Sequence, residues 1–153
     1  MFDVPLQVLR LVMQILATMP GLPDHVNEQD LLCLGANIYH EARGEPEIGR
    51  IAVAWVTLNR VESDRFPDTI CEVVTQPGQF SWLQDDYPDM PAPGEFPAYE
   101  SALILGAEIL SGQHPDPTGG ADHYFAHEKA QPFWADDHMT VARIAGHTFQ
   151  RAP

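Results

Sequence analysis

The chain has 153 residues and a formal net charge of −14, with 44% hydrophobic and 20% charged residues. That length suits one domain with a real core, and the composition is that of a folded globular protein. The basic side holds only Lys129 and seven arginines, so a nucleic-acid partner is not expected, and no apolar run is long enough to span a bilayer.

Met1 to Met19 is apolar but interrupted by Asp3, Arg10 and Gln14. It lacks the basic start and small-residue cleavage site of a signal peptide. Leu6, Leu9, Val12, Met13 and Leu16 recur at helical spacing and predict a helix over 4–18 that makes no membrane contact. Pro20-Gly21-Leu22-Pro23 stops it. Residues 1–26 then read as a helix and linker, and 27–153 as the main domain. Asn27 caps a second helix, with Glu28 and Asp30 in its first turn. Its core face is Leu31, Leu34, Gly35, Ile38 and Ala42, and Gly44 ends it.

Pro46 suits the first turn of the next helix. Its expected buried stripe is Ile48, Ile51, Ala52, Trp55, Leu58 and Val61. The run from Ile51 to Val56 is apolar nearly all round, which marks this helix as the central one. Ile70 to Val74 reads as a short helix or strand. The stretch 76–97 is rich in Pro, Gly and Asp with interleaved aromatics, and reads as a long irregular loop. Ala98 to Leu110 is another helix. His123-Tyr124-Phe125 and His147-Thr148-Phe149 read as two short strands. The fold class is therefore α+β, mostly helical, in a single domain with a small sheet. Cys33 and Cys71 allow at most one bridge. Two thiols make no disulfide framework, and buried free thiols are the expected state.

Tyr39-His40-Glu41-Ala42-Arg43-Gly44-Glu45 concentrates charge between two apolar helical patterns. Such a cluster is costly to bury and points to a site. Glu41 lies beside the core stripe in the last turn of its helix. The helix C-terminus repels negative charge there and partial burial adds to that, so both favour a protonated carboxyl able to act as a general acid. The plain alternative is a solvated glutamate. Arg43 is free to pair with either acid, and Arg43 with Glu45 reads best as a structural salt bridge across the turn. His40-Glu41 does not start a zinc-protease motif, because Gly44 stands where the second histidine belongs. His123 and His127, with His114, His138 and Asp122, offer a weak zinc pattern, and Asp136-Asp137 a weak calcium one. No metal and no cofactor is expected. Gln79, Phe80, Trp82, Tyr87, Tyr124, Phe133 and Trp134 concentrate in the predicted loops, where aromatic faces can grip sugar rings.

Ala36-Asn37-Ile38-Tyr39-His40-Glu41-Ala42-Arg43-Gly44-Glu45, Gly49, Ala52-Val53-Ala54 and Leu58-Asn59-Arg60-Val61 carry a resemblance. So do Phe66-Pro67-Asp68-Thr69-Ile70, Val73-Val74, Gln79-Phe80-Ser81-Trp82, Gly120-Ala121, Tyr124-Phe125, Trp134 and Gly146-His147-Thr148-Phe149. Together they closely resemble the cell wall hydrolase family of spore-cortex-lytic enzymes, of SleB/CwlJ type, over about 31–149. The resemblance implies a lysozyme-like fold with a small antiparallel sheet, acting on peptidoglycan glycan strands. It implies that Glu41 is the catalytic acid, by hydrolysis or by transglycosylation of the MurNAc–GlcNAc bond. Gln79, Phe80, Tyr124, Trp134 and His147 are then the candidates for holding the sugar, and Arg43, Glu45 and Asn59 support the site. Asn59 and Arg60 otherwise read as ties between their helix and its neighbours. A monomer is expected, held in the cytoplasm until released or carried on a phage-like particle. A wall-binding module without turnover and a zinc hydrolase are the rival readings.

Overall fold

The computed structural model of the chain describes residues 4–76, 83–84, 87–88, 93–129 and 131–153. The candidates Gln79 and Phe80 lie outside these residues, as does Trp82. Among the described residues five helices carry the fold: α1 (Leu6–Thr18), α2 (Glu28–Ala42), α3 (Glu47–Val61), α4 (Ile70–Val74) and α5 (Phe96–Leu110). Two strands of two residues, β1 (Leu83–Gln84) and β2 (Tyr87–Pro88), pair within the stretch read as irregular. A three-stranded antiparallel sheet closes the chain: β3 (His123–Ala126), β4 (Thr140–Ile144) and β5 (His147–Gln150), in the order β3-β5-β4. No described helix is long and apolar enough to cross a membrane.

α2 starts as its sequence dictates. Asn27 accepts from the Asp30 amide and Asp30 accepts from the Asn27 amide, both at 3.0 Å, a reciprocal cap. Every residue from Leu31 to Tyr39 is buried. α2 packs against α1, α3, α4 and α5, so α2 rather than α3 is the central helix. Its contact with α5 is close because a Cβ at Gly35 would lie 2.6 Å from the Leu103 side chain. α1 joins the same core through Val8, Val12 and Ile15.

α3 is apolar all round for a different reason. It is shared by two cores. Ile51 and Ala54 belong to the helical core, whereas Ala52, Val53 and Val56 pack with Phe149, Tyr124, Ala142 and Ile144 of the sheet. Ile48, expected in the buried stripe, is 48% exposed. It sits in the first turn, where the chain has not yet entered the core.

The cysteines are not free thiols. Cys33 of α2 and Cys71 of α4 form a disulfide across 38 residues of chain. Both positions are apolar-faced in the sequence, so a buried thiol and a buried bridge read alike; only the packing of α4 on α2 brings them together. β4, like β1 and β2, is a strand the sequence reading missed. Its Thr140-Val141-Ala142-Arg143-Ile144 alternates partly buried with exposed positions, the period-two pattern of a half-covered strand.

Candidate active site

Glu41 occupies the second-last position of α2 and is half-buried. Gly44 has φ 88°, a left-handed turn that a side chain would strain, and it lets α3 start at once. The C-terminal end of α2 is thereby held against the sheet. Tyr124 of β3 donates its hydroxyl to Glu41 Oε1 at 3.1 Å. Burial raises the Tyr124 pKa well above the usual phenol range, and Glu41 adds to the rise, so the hydroxyl keeps its proton and remains a donor.

Arg60, in the last turn of α3, is buried at 6% exposure. Its Nε donates to the Asp122 carbonyl at 2.8 Å, and its guanidinium lies over the Phe66 ring at 4.8 Å. Burial lowers its pKa, but Tyr124, Asp122 and Glu41 counter that. Arg60 is thus both the tie that sequence reading expected and a buried positive charge acting on Glu41. The signal was an arginine on the inner face of an apolar helix, a placement rare without a partner.

Glu45 and His147 meet beside this pair. His147 Nδ1 lies 3.4 Å from Glu45 Oε1. Nδ1 is buried without a hydrogen bond, so the two groups are close in space and form an ion pair only when the ring is protonated. Burial lowers the His147 pKa; Glu45 opposes this, and His127 and Lys129 reinforce it. The His147 ring sits edge-on to the Tyr124 ring at 5.3 Å.

The other candidates separate. Arg43 pairs with neither Glu41 nor Glu45. It donates to the Tyr39 hydroxyl, covers the Tyr39 ring and approaches Glu95 at 3.7 Å. The α2–α3 turn points it toward α5, away from the sheet. Asn59 donates to Asp116 Oδ2 at 3.0 Å and to the Ala121 carbonyl at 2.9 Å, so it supports the segment entering β3. Trp134 contacts the His123 and Phe125 rings at 5.1 and 5.9 Å. Those residues alternate with Tyr124 along β3, so Trp134 covers the sheet face opposite Glu41. A cavity of about 290 Å³ is lined by Ile38, Tyr39, Arg43, Glu45, Arg50 and Ser101 among others; Glu41 does not border it.

The histidines of the zinc pattern are dispersed. His114 faces Glu108, His123 faces Asp122, and His127 faces Thr148. Among the described residues no three His, Cys, Asp or Glu side chains are grouped to hold a metal ion.

Comparison with known proteins agrees on one family. The model of the cell wall hydrolase family matches residues 44–150, beginning three positions after Glu41. A spore cortex-lytic enzyme of Halalkalibacterium halodurans is 34% identical over 129 residues, covering 84% of this chain and 37% of that protein. One from Bacillus cereus is 33% identical, covering 84% and 47%. The chain thus spans less than half the length of these relatives. Among solved structures, the catalytic domain of the Bacillus cereus SleB protein has a TM-score of 0.65 at 29% identity, covering 88% of this chain and 98% of that one. The catalytic domain of the germination-specific lytic transglycosylase SleB from Bacillus anthracis has a TM-score of 0.67 at 30% identity, covering 84% and 99%.

Proposed function

This chain belongs to the cell wall hydrolase family, and we propose that it cleaves the MurNAc–GlcNAc bond of peptidoglycan by lytic transglycosylation, with Glu41 as the single catalytic carboxyl. The observation that supports it best is the half-buried Glu41 with the Tyr124 hydroxyl on its Oε1 at 3.1 Å. Its relatives are named for cortex lysis and, in one case, for lytic transglycosylation.

In this reading protonated Glu41 donates to the glycosidic oxygen as the bond to the anomeric carbon breaks. The Tyr124 hydroxyl and the Arg60 charge stabilise the carboxylate left behind. The sugar then carries oxocarbenium character. Its own 6-hydroxyl attacks the anomeric carbon and returns a proton to Glu41, closing a 1,6-anhydro ring. A two-carboxylate glycosidase would need a second acid roughly 5 to 9 Å from the first. Glu45 is the other acid of the motif, and it is engaged with His147. Hydrolysis of the same bond is the second reading, with water in place of the 6-hydroxyl.

Residues 27–153 form the catalytic unit in this proposal, with 1–26 as an accessory helix, and the chain acts as a monomer. Its place of action is the wall, outside the cytoplasm. The Cys33–Cys71 disulfide supports this, since such bonds persist in oxidising compartments. The deciding experiment is Glu41→Gln with purified peptidoglycan. Loss of a general acid is expected to lower the rate by at least about 100-fold. A folded variant that clears peptidoglycan at the wild-type rate ends the proposal. Mass spectrometry of the released muropeptides then separates anhydro ends from reducing ends, and binding without any release favours the wall-binding module.

A further inference from the structure

We propose that Glu45 is a positioning residue for glycan cleavage: it holds His147, and through it the Tyr124 phenol that donates to Glu41. The inference rests on Glu41 being the acid, and it assigns Glu45 more than fixing the turn between two helices.

Two elements leave room for this side chain. Glu45 follows the left-handed Gly44 in the α2–α3 turn. A Cβ at Gly49 of α3 would lie 3.3 Å from the Glu45 Cβ. A Cβ at Gly146, in the turn between β4 and β5, would lie 3.2 Å from Glu45 Oε1. Two glycines from different parts of the chain therefore leave room for one side chain.

What that side chain faces is His147. The His147 side chain is 11% exposed, and its Nδ1 is buried without a hydrogen bond, 3.4 Å from Glu45 Oε1. A carboxylate at that distance favours a hydrogen on Nδ1 by charge attraction, without a formed hydrogen bond. The other charged groups acting on the ring, His127 and Lys129 from the segment after β3, both disfavour its protonation. Glu45 is the one that counters them. The ring then meets the edge of Tyr124 at 5.3 Å with an interplanar angle of 79°. Tyr124 in turn reaches Glu41 at 3.1 Å. A small rotation of His147 therefore moves the donor on the acid, and misplacement of a catalytic group is costly in rate.

The test uses the whole chain with Glu45→Gln, Glu45→Asp and Gly146→Ala. Muropeptide release is measured between about pH 5 and 8, the span over which histidine titrates. NMR titration of the His147 imidazole is recorded without substrate. Glu45→Gln is expected to lower kcat by about 10- to 100-fold with KM within twofold, as for a group that acts on the transition state alone. Removing the anion lowers the His147 pKa further, so the acid limb of the rate profile moves to lower pH. Glu45→Asp restores part of kcat. Gly146→Ala presses on the carboxylate without changing charge, and is expected to reduce kcat and shift the His147 resonances. It serves if Glu45→Gln does not fold. A kcat within twofold of wild type overturns the proposal, and so does a loss of rate with unmoved His147 titration. A wild-type chain that releases no muropeptides ends the glycosidase reading instead, and the substrate-free titration tells the two failures apart.

Discussion

Tyr124 is the residue on which the site turns. Its hydroxyl donates to Glu41 Oε1, and its ring is held between His147 and Phe149. A hydrogen bond to a charged group contributes about 1.5 to 3 kcal/mol. Tyr124→Phe should keep the ring packing and lower kcat by roughly 10- to 100-fold at unchanged melting temperature. Steady-state muropeptide release measures it; a Phe variant at wild-type rate would show that the phenol only packs. Ala145 poses the opposite case. It has φ 51° in the two-residue turn ahead of His147, a conformation that costs a side-chain-bearing residue. Ala145→Gly relieves that strain and gives some of it back in unfolded-chain entropy, so a net gain of about 0.5 kcal/mol is expected by urea titration.

At the scale of elements, the joint between α2 and α4 is covalent. The Cys33–Cys71 bond closes 38 residues, for which chain entropy gives a stabilisation of about 4 kcal/mol. Reduction, or Cys33→Ala with Cys71→Ala, should lower the melting temperature by roughly 10 °C, while leaving Glu41 and the sheet in place. Calorimetry with and without reductant checks this, and an unchanged melting point would mean that the bridge constrains nothing. α2 itself joins stability to function. Its buried middle is the hub for four helices, and its last turn carries Glu41, the proposed acid. The packing that makes it rigid therefore also fixes where Glu41 lies relative to β3.

At the scale of the molecule, pH links folding to the site. Burial holds the His147 pKa below its ordinary 6.5. The unfolded chain therefore takes up this proton first as pH falls. Stability should be full above about pH 6.5 and decline from there to the lower folded value. Asp116 acts in a separate, more acid window. Burial alone would raise its pKa, but hydrogen bonds from Thr118, Asn59 and Gly120 outweigh that and hold it below 3.8. Its contribution is present above pH 3.8 and is lost as pH falls through the folded value. Urea midpoints at about pH 7.5 and 5.5 test the first window, which brackets the ordinary histidine value. His147→Gln should remove part of the drop between them, and an equal drop in the variant would assign it to other groups.

Local chemistry along the chain was enough to determine much of this protein. The Asn27 cap, the Pro-Gly-Pro break after α1, the Gly44 stop and the apolar spacing of α2 and α5 each act within a few residues, so they are legible without a fold. The clustered charge of 39–45 marked a candidate site for the same reason, since ionised groups among core positions need an explanation wherever they occur. What lay beyond the sequence was every pairing across distance. That Arg43 turns to Glu95, that Trp134 backs the far face of β3, that Cys33 finds Cys71, and that α2 rather than α3 is the hub all depend on how helices pack. The Glu45–His147 and Glu41–Tyr124 contacts belong to that group too. Their partners are 102 and 83 residues apart in the chain. Spacing along one helix or strand says nothing about such neighbours; only the docking of the sheet against the end of α2 brings them together.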